Sequence, residues 1–485
     1  MVPWHDDHIR LSMRRAGKMA NRQVRCRVKY GNYPIFLHIP CYRGGGLGGH
    51  LFPQPLPEIR TVMAILKFLA TSLVVALIPS VSALLAFPGA EGFGRNAVGG
   101  RAGSVYHVTN LDDSGAGSFR DAVSKANRIV VFDVGGTIKI TTRIAVSKNI
   151  YIAGQTAPGD GITVYGNGVS FSNADEAIVR YIRFRMGKGG DSGKDGVAIA
   201  EGSNMIFDHV SSAWGRDETF SINGDVHNVT IQDTIIGQGL ETHSCGGLMQ
   251  SDYGVSLFRN LYIDNKTRNP KVKGMNDFQN NVIYNWGGGG AYIAGDSAGQ
   301  SNANIVNNYF ISGPSTGVTA FTRGNANFHG YVSENYYDND KDGTLNGTPL
   351  CVETSCYSDM DIQKAKFNYP GPGRVMDAPD AVTHVLKNVG TVFPARDDVD
   401  KGLVAEVESY GKKGELISDE NASLLSGSGA GGTATAATDT DGDGIPDAWE
   451  SANGLDPKDA SDAIKISSSG YANIEVYVNS LVPSS

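Results

Sequence analysis

Residues 257–261 read Leu-Phe-Arg-Asn-Leu, and residues 278–282 read Phe-Gln-Asn-Asn-Val. The same pattern of two apolar or β-prone residues, a polar pair and a further β-prone residue recurs in seven copies, whose third residues are at positions 180, 208, 232, 259, 280, 307 and 334. Turn-forming Gly, Asn, Asp and Ser clusters separate the copies. A period of 21 to 28 residues, built from short strands without helices, predicts an all-β solenoid, the parallel β-helix.

The fourth position of the last four copies is always asparagine, at Asn260, Asn281, Asn308 and Asn335. Equivalent amides on successive coils of a solenoid can bond to one another, so we expect an asparagine ladder at one turn. An ordinary β-sandwich also has strands every 8–12 residues, but it gives no reason for a longer period. The repeat therefore favours the solenoid.

Composition agrees with many tight turns between short strands. Glycine provides 62 of the 485 residues, nearly twice the usual share of about 7%. No Gly-X-Y period is present, which excludes collagen. Hydrophobic residues make up 40% of the chain, which excludes a disordered polyanion.

Charge is divided unevenly along the chain. Residues 1–83 carry 11 Lys and Arg against 3 Asp and Glu, a net charge of +8. The other 402 residues carry the remaining 31 basic and 47 acidic side chains, a net charge of -16, and the whole chain has -8. An acidic body should not bind nucleic acid by charge, and it would bind a polyanion only with cations between the two.

Met63–Ala83 reads as a secretory signal peptide. It has Lys67 near its start, an apolar core, a break at Pro79 and small residues before Ala83. A transmembrane anchor is the alternative, but the apolar core is short for a span. We therefore expect an extracellular protein without a membrane segment in its mature form, and a start at Met63 that leaves residues 1–62 as a misassigned upstream segment.

The predicted mature chain has three parts: a β-helix domain over residues 84–425, a Gly/Ser/Ala/Thr linker over 426–438 and a small acidic module over 439–485. Cys351 and Cys356 close a short loop, and secretion permits disulfides, so we predict a bridge between them. Cys245 remains unpaired. Four sequons, at Asn228, Asn265, Asn346 and Asn421, are candidate glycosylation sites. We expect a monomer.

Residues 439–450 match the twelve-residue calcium loop of an EF-hand almost fully. The side chains of Asp439, Asp441, Asp443 and Glu450 and the carbonyl of Ile445 are the predicted ligands, and Asp447 would act directly or through water. Gly444 occupies the position of the sharp turn. An acidic surface turn is the alternative. Pro446 indicates a variant loop rather than a full helix-loop-helix hand.

Several stretches carry a family resemblance. They are Phe87-Pro-Gly-Ala-Glu-Gly-Phe-Gly, Val108-Thr-Asn-Leu-Asp-Asp-Ser-Gly, Gly117-Ser-Phe-Arg and Gly154-Gln-Thr-Ala-Pro-Gly-Asp-Gly. They resemble the secreted pectate lyases of polysaccharide lyase family 1, over about residues 84–340 and 439–482. The resemblance implies a right-handed parallel β-helix that cleaves de-esterified homogalacturonan, the polygalacturonate of pectin, by β-elimination with calcium as cofactor.

The resemblance also implies roles for single residues. Arg268-Asn-Pro-Lys-Val-Lys273 matches the family's Arg-x-Pro-x-x-Arg/Lys stretch, which makes Arg268 the proton acceptor and Lys273 a ligand of a substrate carboxylate. Lys271 lies between them, and His243 is a further candidate for substrate binding. Because arginine rarely loses its proton, Arg268 could instead orient a hydroxide or stabilise the enolate.

The acids that resemble the family's calcium ligands are Asp195, Asp217 and Glu218. Val197 and Ser221 stand where the family commonly has further acids, and Cys245 stands where it commonly has lysine. Two other functions stay open at this point: a pectin lyase acting on methyl-esterified pectin without calcium, and a non-catalytic β-helical carbohydrate-binding protein. A β-helical glycosidase is a weaker alternative, because it needs two carboxylates facing one cleft and the neighbours Asp217 and Glu218 would face opposite ways on a strand.

Overall fold

The structure is a computed structural model that describes residues 27–30, 33–36, 83–101, 103–240, 242–295, 299–425 and 436–482. The chain divides into two units, residues 1–81 and 82–485. In the first unit, Arg27–Tyr30 and Tyr33–Phe36 form an antiparallel hairpin. The predicted signal peptide, apart from Ala83, and most of the predicted linker lie outside the described residues.

The second unit is built on two long parallel β-sheets that run side by side along the axis of the solenoid. The strands of the first sheet are, in spatial order, Ser104–Val108, Arg128–Phe132, Ile150–Ala153, Ile178–Arg180, Val197–Asp208, Phe220–Gln232, Leu248–Phe258, Lys271–Gln279, Ser301–Val306, Phe328–Ser333 and Asp361–Ile362. Those of the second are Gly136–Lys139, Ile162–Tyr165, Arg183–Arg185, Ser211–Ala213, Ile235–Gly237, Leu261–Ile263, Val282–Tyr284, Tyr309–Ile311, Tyr336–Asp338 and the antiparallel Thr348–Pro349. The predicted parallel β-helix is confirmed.

Four long strands of the first sheet also form a third face of the solenoid. Pairing shifts after Ile199, Ile222 and Ser251 divide these strands into two arms. The first arms pair with one another and with short strands on either side, which are Ile144–Ala145, Val169–Ser170, Tyr292–Ala294 and Phe321–Thr322. We call this row of first arms the third face.

The interior is filled by one side chain from each coil at equivalent positions. Along the first sheet, one row of paired residues points inward and is fully buried; it comprises Val179, Phe207, Ile231, Leu257, Phe278 and Ile305. The preceding residue of each strand points outward, because successive side chains in a strand alternate between faces. The core is therefore a stack of apolar layers along the axis.

The pairing corrects the predicted alignment of the repeats by one residue. Thr230 pairs with Ser256, not with Leu257, so the first three copies are shifted relative to the last four. The residue that truly recurs has a left-handed backbone and follows the strand of the first sheet, at Tyr181, His209, Asp233, Arg259, Asn280, Asn307 and Glu334. A shift of one residue exchanges inward and outward positions, so copies must be aligned on this turn residue.

The predicted asparagine ladder is confirmed. The Nδ2 group of Asn260 donates to Oδ1 of Asn281 at 3.1 Å, that of Asn281 to Asn308 at 3.0 Å, and that of Asn308 to Asn335 at 2.9 Å. Each Oδ1 also accepts the backbone N–H of the preceding asparagine. All four side chains are fully buried, so the ladder satisfies polar groups at a turn that water does not reach.

Residues 337–425, which the sequence pattern leaves irregular, contain the helices Ala378–Asn388 and Asp398–Val407. Both begin at an aspartate whose side chain accepts a backbone N–H of the first turn. Their apolar residues pack on the outer surface of the second sheet, for example on Ile235 and Ile263. Two short helical segments in the same range are Thr354–Tyr357 and Ala422–Leu424, and those outside it are Phe119–Ala122, Gly154–Thr156, Asp447–Asn453 and Asn473–Ser480. No helix in the described residues has the length and apolar character needed to cross a membrane.

Asp277 is a buried carboxyl on the outer surface of the first sheet. Its Oδ1 accepts from Gln279 Nε2 at 2.6 Å and from Asn304 Nδ2 at 3.2 Å. Burial raises the pKa of Asp277 to about 6, although Gln279, Lys366 and Asn304 act in the opposite direction. The folded chain therefore binds more protons than the unfolded chain between about pH 4 and pH 6, and its free energy of unfolding falls as pH rises through that window.

We therefore expect Asp277→Asn to gain stability relative to the unmodified chain as pH rises from 4 to 7, by up to about 3 kcal/mol. Urea unfolding of both proteins at pH 4.5 and pH 7 measures this difference. The exposed Asp419→Asn serves as the control, because it should behave like the unmodified chain at both pH values. A difference between the Asp277 variant and the unmodified chain that does not change with pH would contradict the prediction.

Candidate active site

The predicted site residues come together in front of the third face. Asp195 precedes the strand that begins at Val197, Asp217 and Glu218 precede the next strand, and Arg268 precedes the strand that begins at Lys271. Backbone bonds hold these loops in a stack: Gly196 N–H donates to the Glu218 carbonyl at 2.9 Å, and further bonds of the same kind follow through residues 219, 245, 246 and 267. Residues about 25 positions apart in sequence thus become neighbours.

Arg268 and Glu218 form an ion pair, in which Nη1 of Arg268 donates to Oε1 of Glu218. The Glu218 side chain is 4% exposed, whereas that of Arg268 is 32% exposed and faces solvent in part. Burial would lower the pKa of Arg268, but the nearby Cys245, Glu218 and Asp217 raise it above the ordinary arginine value. Arg268 is therefore a firmly charged cation while it contacts Glu218.

The three predicted acids line one cavity of about 510 Å³, together with Arg143, Lys194 and Ser221 among others. Burial raises the pKa of Glu218 to about 7 against the effect of Arg268, and Asp195 and Asp217 add to the rise. Burial also raises the pKa of Asp195, whose Oδ1 accepts the Glu218 N–H at 3.3 Å. Carboxylates crowded in this way fit a hard divalent cation, which prefers several oxygen ligands.

The predicted substrate-binding residues are not among the lining residues of this cavity, but Lys271 and His243 each have a neighbour that is. Lys271 and Lys273 are half-buried on one strand with the fully buried Val272 between them, so the two lysines face the same way. Lys271 pairs with Leu248, which lines the cavity. His243 is well exposed, and its Nδ1 lies 3.3 Å from Oδ1 of Asp217, at the acidic edge of the site.

The structure shows where the three positions that depart from the family pattern lie. Val197 is fully buried among the interior residues, and Ser221 lines the cavity without adding charge. Cys245 is 3% exposed, and burial raises the pKa of its thiol to about 12. Ligand atoms of Asp217, Glu218 and Cys245 lie within 4.8 Å of one another. Because calcium takes oxygen ligands, a neutral thiol at this place adds none.

Arg143 is a site residue that the sequence analysis missed. Its Nη1 donates to the carbonyl of Asp195 at 3.1 Å, and burial lowers its pKa. It lies 52 residues before Asp195, in a stretch without a recognisable motif, so only the stacking of coils brings it here. Asp208 ends the strand Val197–Asp208 at the opposite end from Asp195, and it is buried and bonded to Arg180 and His209.

The predicted sites of covalent modification differ in their exposure and in their bonding. Cys351 and Cys356 are joined in a disulfide. Asn346 and Asn421 are exposed, whereas Asn228 is half-buried and its amide donates to Asn204. Asn265 must be corrected: it is fully buried, its Nδ2 donates to the Ile236 carbonyl and to Asn269, and its Oδ1 accepts the Gly239 N–H. The folded chain leaves no room for a glycan there.

The acidic loop near the C-terminus brings most of its predicted acids together. Ligand atoms of Asp439, Asp441 and Asp443 lie within 4.8 Å of one another, and so do those of Asp443, Glu450 and Asp462. Asp462 was not among the predicted ligands. Asp447, which was, turns away: its Oδ1 and Oδ2 accept the N–H and the hydroxyl of Thr440, both at 2.7 Å.

The comparisons with known proteins agree with this geometry. No protein-family model matches the chain. Its similarity to a protein of Aspergillus flavus named probable pectate lyase C is 67% identity over 410 residues, which is 84% of this chain and 97% of the relative. A protein of the same name from Emericella nidulans is 66% identical over 411 residues, 84% of this chain and 96% of the relative.

Among solved structures, a pectate lyase from Bacillus sp. N165 in complex with trigalacturonate is similar over 62% of this chain and 98% of its own, at 16% identity and a TM-score of 0.40. The family follows from the curated relatives, which match this chain along nearly their whole length at about two thirds identity. The chain belongs to the pectate lyases.

Proposed function

We propose that this pectate lyase is a secreted, calcium-dependent enzyme that cleaves (1,4)-α-D-galacturonan by β-elimination. The main observation in support of the proposal is the ion pair between Arg268 and Glu218, beside a cavity lined by three carboxylates. An anionic polysaccharide needs cations to approach an acidic protein, and both basic side chains and a divalent ion supply them. Asp195, Asp217 and Glu218 are the residues that would hold calcium.

Substrate binding is assigned to Lys271 and Lys273. The Cα atoms of alternate residues in a strand are about 6.6 Å apart and their side chains leave the same face, so the two lysines can contact successive carboxylates of an anionic chain. Lys273 is the ligand of a substrate carboxylate that the family pattern implies, and Lys271 lies nearer the cavity through its pairing with Leu248. His243 would contact the substrate at the other edge, beside Asp217.

In β-elimination the C5–H bond breaks, a double bond forms between C4 and C5, and the C4–O bond breaks while its oxygen takes up a proton. When bound by the three acids, calcium supplies positive charge that neutralises the substrate carboxylate and makes the C5 proton more acidic. Arg268 is the proposed proton acceptor. A charged guanidinium has no lone pair for a further proton. Because the ion pair with Glu218 stabilises this charged form, Arg268 must first leave Glu218 and give one proton to solvent before it can take the C5 proton, and the C4 oxygen takes its own proton from solvent.

Arg268→Lys should lower turnover of polygalacturonate by about 10²-fold or more, because lysine keeps the charge but not the shape of the guanidinium. The ultraviolet absorbance of the unsaturated product measures turnover, and a melting curve reports folding. Arg374→Lys, at an exposed arginine away from the cavity, is the matched control and should keep full activity. Full turnover in a folded Arg268 variant would remove this residue from the mechanism.

Calcium dependence is tested with Asp195→Asn. The loss of one carboxylate should raise the calcium concentration needed for half-maximal activity by roughly tenfold or more. Asp191→Asn, at an exposed aspartate of the same cavity, should change it little. Activity of the unmodified enzyme that survives a chelator would contradict calcium dependence and would favour the pectin-lyase alternative.

Secretion rests on the segment Met63–Ala83, with cleavage after Ala83. Sequencing the N-terminus of the extracellular protein should give Leu84 as the first residue. Peptides from residues 1–62 in that protein would contradict both the cleavage site and the start at Met63.

A further inference from the structure

The acidic C-terminal loop lies directly on the outer surface of the first coils. The side chain of Ile445 is fully buried together with Ile129 and Val131 of the first sheet and with Ile474 of the last helix. Gly444 fits only without a side chain, because a Cβ there would come within 2.9 Å of Val105 Cγ1. The loop is therefore part of the folded solenoid, packed against its N-terminal end.

The last helix, Asn473–Ser480, is fixed to the same coils by polar contacts. Arg101 Nε donates to Glu475 at 2.8 Å, and the Glu475 side chain is 1% exposed. Arg180 Nη1 donates to Asn479 Oδ1 at 3.0 Å. The loop and the last helix thus cover a surface of the sheet that would otherwise be exposed and apolar.

Within this region, buried carboxylate oxygens lie close to one another, and they have no hydrogen-bond partner among the described residues. They are both oxygens of Asp441, Oδ2 of Asp443, both oxygens of Glu450 and Oδ1 of Asp462. Glu450 is 0% exposed and Asp443 is 3% exposed. Unpaired buried carboxylates are strongly unfavourable, so an arrangement of six such oxygens calls for a cation.

Asp462 takes the place that the loop pattern assigns to Asp447. Both Asp447 oxygens are engaged by Thr440. Asp462 comes from outside the twelve-residue loop; its Oδ2 accepts the Asp456 N–H at 3.0 Å, which leaves Oδ1 to join Asp443 and Glu450. Its neighbour Ala463 is fully buried in the cluster that joins the loop to the sheet.

We propose that Asp441, Asp443, Glu450 and Asp462 form a structural calcium site that fastens the C-terminal segment to the first coils of the solenoid. Asp439 lies beside this site, and its two oxygens accept the N–H groups of Gly442 and Gly444 at 2.8 and 2.9 Å. Six carboxylate oxygens match the six to eight oxygen ligands that calcium takes, whereas magnesium is usually bound through only one or two carboxylates. Ile445, whose carbonyl stands at the seventh loop position, would add a backbone ligand. The site is separate from the cavity in front of the third face, and the inference does not depend on the proposed reaction.

The test is thermal unfolding of the full mature chain with and without calcium, for the unmodified protein and for Asp462→Asn. Calcium should raise the melting temperature of the unmodified protein, and the substitution should remove most of that shift. Without calcium, the Asp462 variant should melt at the same temperature as the unmodified protein or higher, because one of several mutually repelling acids is gone. If Asp462 had only a packing role, its substitution would instead lower the melting temperature measured without calcium.

Two variants separate this site from the others. Asp447→Asn should keep the calcium shift, since both oxygens of Asp447 are bonded to Thr440. Asp195→Asn should lose only the part of the shift that calcium in the cavity contributes and keep the part that belongs to the C-terminal site, whatever happens to lyase activity, so failure of the catalytic proposal and failure of this one are distinguishable. An unchanged shift in the Asp462 variant, or no shift in the Asp195 variant, would overturn the proposal.

Discussion

Backbone hydrogen bonding between parallel strands of successive coils is the constraint on which the whole molecule depends. Once two coils pair in register, an inward position on one coil pairs with an inward position on the coil above or below it, and an outward position pairs with an outward one. Interior rows become continuous apolar stacks, as from Val179 to Ile305, and buried turns need side chains that bond along the axis. The asparagine ladder meets that need, since each amide both donates to the next coil and accepts from the preceding one.

The same constraint assembles the active site. Asp195, Glu218 and Arg268 belong to different coils, yet each directly precedes a strand of the third face. A loop in front of such a strand is held by backbone hydrogen bonds to the loops above and below. The side chains of successive loops are therefore close to one another. The chemistry therefore resides in loops of ordinary length whose positions are fixed by the sheet beneath them.

Sequence reasoning recovered the fold because a repeat is visible without knowing any contact. It misaligned the repeat by one residue, because strand-forming types recur on both sides of the turn and the turn residues Tyr181, Arg259 and Glu334 do not indicate a left-handed backbone by their type. Contacts between segments that are distant in sequence could not be predicted, because they leave no local sequence pattern. Arg143 has no local motif, and nothing in the sequon of Asn265 shows that the amide is already bonded to Ile236.

The two acidic clusters differ in what surrounds them, and that difference separates their roles. In the cavity, the buried Glu218 has Arg268 as a partner and Asp217 is partly exposed to solvent, so the proposed cation would be able to exchange and to share its ligands with substrate. Near the C-terminus, the oxygens of Glu450 and Asp441 are buried and unpartnered on a loop wedged against the sheet. A cation held there has no space for a substrate beside it. Under the two proposals, one acidic chain would use the same ion for catalysis at an open site and for structural stability at a closed one.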